Sequence, residues 1–294
     1  AGLRPQHTTG LDHLGSDLTG LTVTAASPTI PVGGLSIAGP QTYNAAAGTS
    51  LFLNGDVTST DTGAITFNGS VLLGTDSTVT AVDSPVTFSG ALDGSHDLTV
   101  NSGTGASIFS GKVGNVAPLG DGTGAALTLA GAGAASFADT LVANSGLSIA
   151  GPVTFTHDVT LNDGSVGSTF GGAVTAGGLT LSGFDGLTFP SAVTLSGPLT
   201  LDAEGGPLSF GGPVTGAHAL TLTLGGGSVA GLGQLDTGLA GLTLNNTSTV
   251  TLPALMISGP QIYNGPVSIA GKLMGTALTF NAATPTAANG LTVA

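Results

Sequence analysis

A triplet of apolar residue, threonine and apolar residue returns along this chain at nearly constant intervals, and few folds accept that pattern. It reads Leu21-Thr22-Val23, Ile65-Thr66-Phe67, Val86-Thr87-Phe88, Leu98-Thr99-Val100 and Leu127-Thr128-Leu129. It continues as Val159-Thr160-Leu161, Leu179-Thr180-Leu181, Leu199-Thr200-Leu201, Leu220-Thr221-Leu222 and Leu242-Thr243-Leu244. Such alternation is strand patterning: the two apolar side chains point one way and the threonine the other. Threonine suits the outward place, because β-branching favours extended backbone while the hydroxyl stays in water. Helices are disfavoured throughout, since 51 of 294 residues are glycine and no apolar face recurs at three-to-four spacing.

The intervals set the architecture. Threonines 160, 180, 200, 221 and 243 step by 20, 20, 21 and 22, and Thr66, Thr87, Ile108, Thr128 and Ser148 step by 21, 21, 20 and 20. A constant step near 21 is one turn of a coil, holding two or three short strands joined at Gly, Asn, Asp or Pro corners. Stacked coils give an all-β fold, a parallel β-solenoid of about fourteen coils (294/21) at ~4.8 Å per coil. Right-handed coiling is expected by analogy with parallel crossovers. Phe67, Phe88, Phe109, Phe137, Phe155, Phe170, Phe189 and Phe210 are expected inside, several of them stacked. Residues 1–10 read as a lead-in or linker, and residues 11–294 as one continuous solenoid.

A longer period lies on top. Gly34-Leu35-Ser36-Ile37-Ala38-Gly39-Pro40-Gln41-Thr42-Tyr43-Asn44 returns as Gly146-Leu147-Ser148-Ile149-Ala150-Gly151-Pro152-Val153-Thr154-Phe155. It returns again as Leu255-Met256-Ile257-Ser258-Gly259-Pro260-Gln261-Ile262-Tyr263-Asn264. The Gly-Pro pairs lie 112 (151 − 39) and 108 (259 − 151) residues apart. That is a super-repeat near 110 residues, or about five coils.

Composition excludes several functions. The net charge is −13, from 16 acids against Arg4, Lys112 and Lys272. Nucleic-acid binding and adsorption to anionic membranes both need cations that this chain lacks. Absence of cysteine removes disulfides, thiol chemistry and cysteine-based zinc sites. No apolar run approaches the ~18 residues of a membrane-spanning helix, so membrane insertion is not expected.

Candidate chemistry weighs against simpler readings. His96-Asp97, with Ser89 and Ser95 nearby, and His157-Asp158 have the residue types of a hydrolase. Yet the repeat counterpart of His96-Asp97 is His218-Ala219, so the histidine reads as a corner position. Asp93 with Asp97, Asp158 with Asp163, and Asp202 with Glu204 are the pairs a glycosidase could use. Without tryptophan, and with two tyrosines and three cations, a sugar-cleaving site is poorly furnished. Asn162-Asp163-Gly164 and Gly120-Asp121-Gly122 could hold calcium, but neither matches a known calcium loop, and Asp-Gly corners need no metal. Gly171-Gly172 and Gly225-Gly226-Gly227 lack the lysine and helix of a phosphate loop. A threonine column could also serve ice binding, for which single outward threonines are a weak match. The chain is therefore expected to have no catalytic, cofactor or metal residues.

The Gly-Pro-Gln-Thr-Tyr-Asn and Gly-Pro-Gln-Ile-Tyr-Asn blocks resemble the repeats of large bacterial surface proteins. So do the stretches Val86–Val100 and Phe170–Leu181. They are similar to the β-strand-repeat group, of the filamentous-haemagglutinin type of adhesin. The resemblance covers residues 11–294 and implies a secreted, non-enzymatic β-helical protein of the cell surface. That would be a filament protomer or the rod segment of a larger adhesin. The alternative is a recognition module that binds a glycan or host surface along one face. Leu291-Thr292-Val293 is an ordinary triplet and residues 1–10 are weakly patterned. Both ends are therefore expected to pair head to tail with neighbouring copies.

Overall fold

Each inward triplet finds its partner one turn away. In the computed structural model, which describes residues 14, 17–25, 29–162, 164, 166–282 and 286–287, the strand pairs among those residues are parallel. Three faces form each coil. The first is a ten-stranded sheet running from Leu21–Ala25 through Gln41–Ala45 and Ile65–Asn68 to Val214–Thr215. The second begins at Thr29–Val32 and reaches Leu92–Asp93, then continues through Val113 into the eight strands from Leu141–Ala143 to Leu278–Phe280. The third is again ten-stranded, from Leu35–Ile37 to Val229–Ala230. Smaller sheets led by Val250–Leu252 and Leu255–Met256 complete the last coils.

One unbroken line of paired residues follows the second face. It runs Ile30, Leu51, Val71, Leu92, Val113, Leu141 and Val159, then Leu181, Leu201, Leu222, Leu244, Tyr263 and Phe280. Thirteen stations make twelve turns, a mean of (280 − 30)/12, or about 21 residues per turn at ~4.8 Å rise. The described residues thus hold twelve of the fourteen coils counted from length. The lead-in at 1–10 and the triplet Leu291-Thr292-Val293 lie outside them.

The core is thin and continuous. All eight phenylalanines expected inside are at most 3% exposed. Tyr43, Phe67, Phe88, Phe109, Phe137 and Phe155 form one stack on the first face, with centroids 4.6–5.2 Å apart. The stack then changes face. Phe155 meets Phe170 edge-on at 5.9 Å and 89°, and Phe170, Phe189 and Phe210 continue on the third face. At the same level the first face places Ala176 and then Leu195 where phenylalanine stood. A large side chain on one wall is offset by a smaller one on another, which holds the lumen at packed density. A Tyr263–Phe280 stack occupies the second face of the last coils.

The Gly-Pro motif has a steric basis. A Cβ on Gly39 would lie 1.9 Å from the Thr19 carbonyl oxygen, and one on Gly259 would lie 1.6 Å from that of Ala240. Only glycine lets the corner sit that close to the coil beneath. The following proline gives its carbonyl to the neighbouring coil: Leu21 N donates to Pro40 O at 2.9 Å and Leu242 N to Pro260 O at 3.0 Å.

One sequence interval conceals a change of face, and another a shift of register. Ile108 pairs with Ser136, not Thr128, while Thr128 pairs with Ser148 on the third face. The coil from Ser107 to Ala135 takes 28 residues (135 − 107) because a loop between Val113 and Ala126 stands out from it. Thr160 likewise pairs with Ser182, two residues beyond the Thr180 expected from the step. The super-repeat shifts as well. Gly39-Pro40 and Gly151-Pro152 both lead into the first face, exactly five coils apart in the pairing Gln41, Ile65, Val86, Ser107, Ala135, Val153. Gly259-Pro260 leads into Gln261–Tyr263, which belongs to the second face. The third copy is turned by one face.

Candidate functional site

The residue types of a catalytic site are present, but they sit at corners or strand ends, and the aspartates there bind mainly backbone. Asp56 accepts from Thr78 N at 2.8 Å, Asp83 from Thr104 N at 2.9 Å and Asp158 from Thr180 N at 2.7 Å. Asp93 accepts from Val116 N at 2.8 Å and Ala117 N at 3.3 Å, and so anchors the protruding loop. Each carboxylate takes a backbone N–H of the next coil, in a turn for Asp83 and Asp93 and at the second residue of a strand for Asp56 and Asp158, which completes backbone hydrogen bonding where the sheet ladder stops.

The sequence-adjacent His-Asp pairs do not act as pairs. His96 Nδ1 lies 3.4 Å from Asp76 Oδ1, one coil away, rather than on Asp97. Ser89, at the end of a first-face strand, donates to Asn68 Oδ1 at 3.2 Å, whereas His96 stands beyond the second face. His157 Nδ1 is 3.0 Å from Thr156 Oγ1, while Asp158 serves Thr180. His218 precedes the second-face strand Ala219–Gly225, and its carbonyl accepts from Ala240 N at 3.1 Å. Asp202 Oδ1 accepts from Glu204 N at 3.2 Å within a single turn, in which Glu204 has a φ of 34°. Asp163 lies outside the described residues.

The densest group of acids is Asp76, Asp97 and Asp121, beside His96. Asp97 N donates to Asp76 Oδ1 at 3.0 Å. One buried oxygen of Asp97 has no hydrogen-bond partner. Burial, and then the charges of Asp121 and Asp76, push its carboxyl above the usual range. Asp121 is held below that range by the side-chain and backbone hydrogen bonds from Thr123. Among the described residues no three His, Asp or Glu side chains converge in a way that could hold a metal ion. The Gly-rich turns are also committed: Gly227 N donates to Leu224 O at 2.8 Å and Gly171 N to Ile149 O at 2.7 Å.

Sequence reasoning missed two polar devices. Gln41 and Tyr43 occupy the inward positions of a triplet and are both 0% exposed. Tyr43 Oη donates to Gln41 Oε1 at 2.5 Å, and Gln41 Nε2 crosses the lumen to Thr58 O at 2.7 Å. The arrangement recurs at Tyr263 and Gln261, whose Nε2 reaches Met274 O at 2.6 Å. Burial pushes both phenols above their usual range. The signal was in plain view: glutamine stands where other triplets carry Val or Leu. The second device is an asparagine ladder. Asn68 Nδ2 donates to Asn44 Oδ1 at 2.9 Å near one end, and Asn281 Nδ2 to Asn264 Oδ1 at 2.7 Å near the other.

Outward apolar side chains are few. Val116 on the loop is 83% exposed. Phe52 and Leu72 are paired neighbours pointing out of the second face, and Phe184 stands exposed beside Val166. A shallow depression near Phe184, lined in part by Leu161, Ser168 and Asp185, is too slight to hold a water molecule. Among the described residues no helix is long and apolar enough to cross a membrane. No family model, no curated protein and no solved structure matches the chain.

Proposed function

We propose that the chain is an extracellular, non-enzymatic structural element of a cell surface, of the filamentous-haemagglutinin type, working as a filament protomer or as a rod segment. The twelve-turn line of parallel pairing carries this reading. It supplies stiffness through backbone hydrogen bonds that repeat at every coil, independent of any cofactor. The acids support it too, since several of them close corners of this scaffold. On this reading, coils at the two ends stack on neighbouring copies, or on further coils of the same polypeptide, through the same ladder.

Labelling of intact source cells with an antibody to the folded chain tests the location: surface decoration is expected, and signal confined to permeabilised cells would overturn it. Light scattering over a concentration series tests the stacking. Growth with concentration that a Thr292→Lys variant blocks supports it, and a monomer at every concentration excludes it. The outward row of Phe52 and Leu72 favours a second reading, recognition of a glycan or host surface along the second face. Glycan-array binding lost in Phe52→Ala would select that reading.

A further inference from the structure

The first face differs from the other two in what it leaves out. Its ten strands keep a single register from Leu21 to Val214. Three outward columns run along it. The central column is hydroxyl-bearing, through residues such as Thr42, Thr66, Thr87, Thr154, Thr175 and Thr194. One flanking column, from Pro40 to Pro213, is built of Pro and Ala, whose carbonyls continue the ladder. The other carries small or amide side chains, among them Asn44, Asn68, Ser89 and Ser196. None of the three columns contains an ionisable group, although the chain has 16 acids. By contrast, Asp93 and Asp202 project from strands of the second face, and Asp56, Asp76 and Asp97 line the edge of the third.

We propose that this face pairs with the same face of a second copy, the two rods lying antiparallel about a two-fold axis. Small side chains in regular columns allow two sheets to approach closely and exclude water. Keeping every carboxylate off the face confines the repulsion between two chains of net charge −13 to their outer sides. Ten strands at ~4.8 Å, and three outward positions across, give a face of roughly 600 Å². Two such faces bury about 1,200 Å², above the ~1,000 Å² that a specific interface needs. The one apolar member of the central column is Ile108, at the fifth of its ten positions. A two-fold axis between the fifth and sixth positions sets Ile108 over the partner's Ser136, at the centre of the interface. The same axis sets Thr87, the fourth position, over the partner's Thr154, the seventh. Such a contact is isologous and stops at two copies, unlike end-to-end growth.

Sedimentation over a concentration series tests the pairing, with circular dichroism to show that each variant folds. The wild-type chain should pass from monomer to dimer. Thr87→Lys or Thr154→Lys should shift the midpoint at least tenfold to higher concentration. Thr87→Lys combined with Thr154→Glu in one chain should restore pairing, because the opposite charges then face each other across the axis. Thr180→Lys, on the second face, should change nothing. A monomer at all concentrations, a dimer indifferent to Thr87→Lys and Thr154→Lys, or a double variant no better than the singles would each overturn the proposal. So would open-ended growth that ignores these substitutions, which would place the contact at the ends.

Discussion

Removing one hydroxyl from the core, Tyr43→Phe, should destabilise the protein more than removing the whole polar pair. In the wild type Gln41 Oε1 receives the Tyr43 hydroxyl at 2.5 Å in a fully buried site. Phenylalanine fills nearly the same space but leaves that oxygen without a donor. A stranded buried acceptor costs about 1–3 kcal/mol, which for a chain of this size lowers Tm by about 2–6 °C. Gln41→Val alone strands the phenol instead, with a comparable cost, and also gives up the bond to Thr58 O. The double variant Gln41→Val/Tyr43→Phe removes both orphans and recreates Val86-Thr87-Phe88, two coils on in the same column. It should lie close to wild type. The double-mutant cycle should therefore return a coupling of about 2–6 kcal/mol, the sum of the two stranded-group penalties, in which loss of the Thr58 bond cancels. Urea unfolding of the four proteins, with equal slopes required, measures it. If the single losses simply add in the double variant, the two side chains are not acting as a unit and the reasoning fails.

Three further outcomes follow from packing and charge. Phe109→Ala, which breaks stacks at 5.2 and 4.6 Å, should cost about 3–5 kcal/mol; hydrogen exchange should quicken chiefly between residues 86 and 137, and Phe184→Ala should do neither. Gly39→Ala forces a Cβ against the Thr19 carbonyl and should lower Tm sharply, whereas Gly233→Ala, with nothing within 4 Å, should leave it unchanged. Asp97, whose carboxyl is raised by burial and by Asp121 and Asp76, binds its proton more tightly folded than unfolded. Its contribution is thus full below the unfolded pKa and lost as pH rises through the folded one. Asp97→Asn should raise Tm at pH 7, with the gain shrinking as pH falls through the carboxylate range; a gain constant with pH would contradict this.

Much of the fold was legible because one local rule, inward-outward-inward, is repeated in every coil. The triplets from Leu21 to Leu244 are strands, and the eight phenylalanines fall inside for the same reason. Face assignment was less accessible. A step of 20 from Ile108 to Thr128 looks like one coil, yet the loop that Asp93 anchors intervenes and the two residues stand on different faces. Interval counting cannot separate a whole turn from part of a turn plus an insertion. The Gln-Tyr pairs were hidden by an assumption that inward positions are apolar, whereas a glutamine can be buried when both ends of its amide find partners. Catalytic readings of His96-Asp97 and His157-Asp158 rested on neighbours in sequence. All four residues stand at corners just before a strand, where His96 meets Asp76 and Asp158 meets Thr180 of the neighbouring coil.

The turned third copy of the Gly-Pro motif bears on how such a chain can lengthen or shorten. A block written for the first face serves equally on the second, because each wall asks only for the same alternation and a close corner. Gain or loss of about seven residues, a third of the 21-residue turn, therefore moves every later strand to the next wall without exposing its apolar side. Copying errors need not span whole turns to be tolerated. The sequence can drift in small increments of length, while the hydrogen-bonded line through the rod stays unbroken.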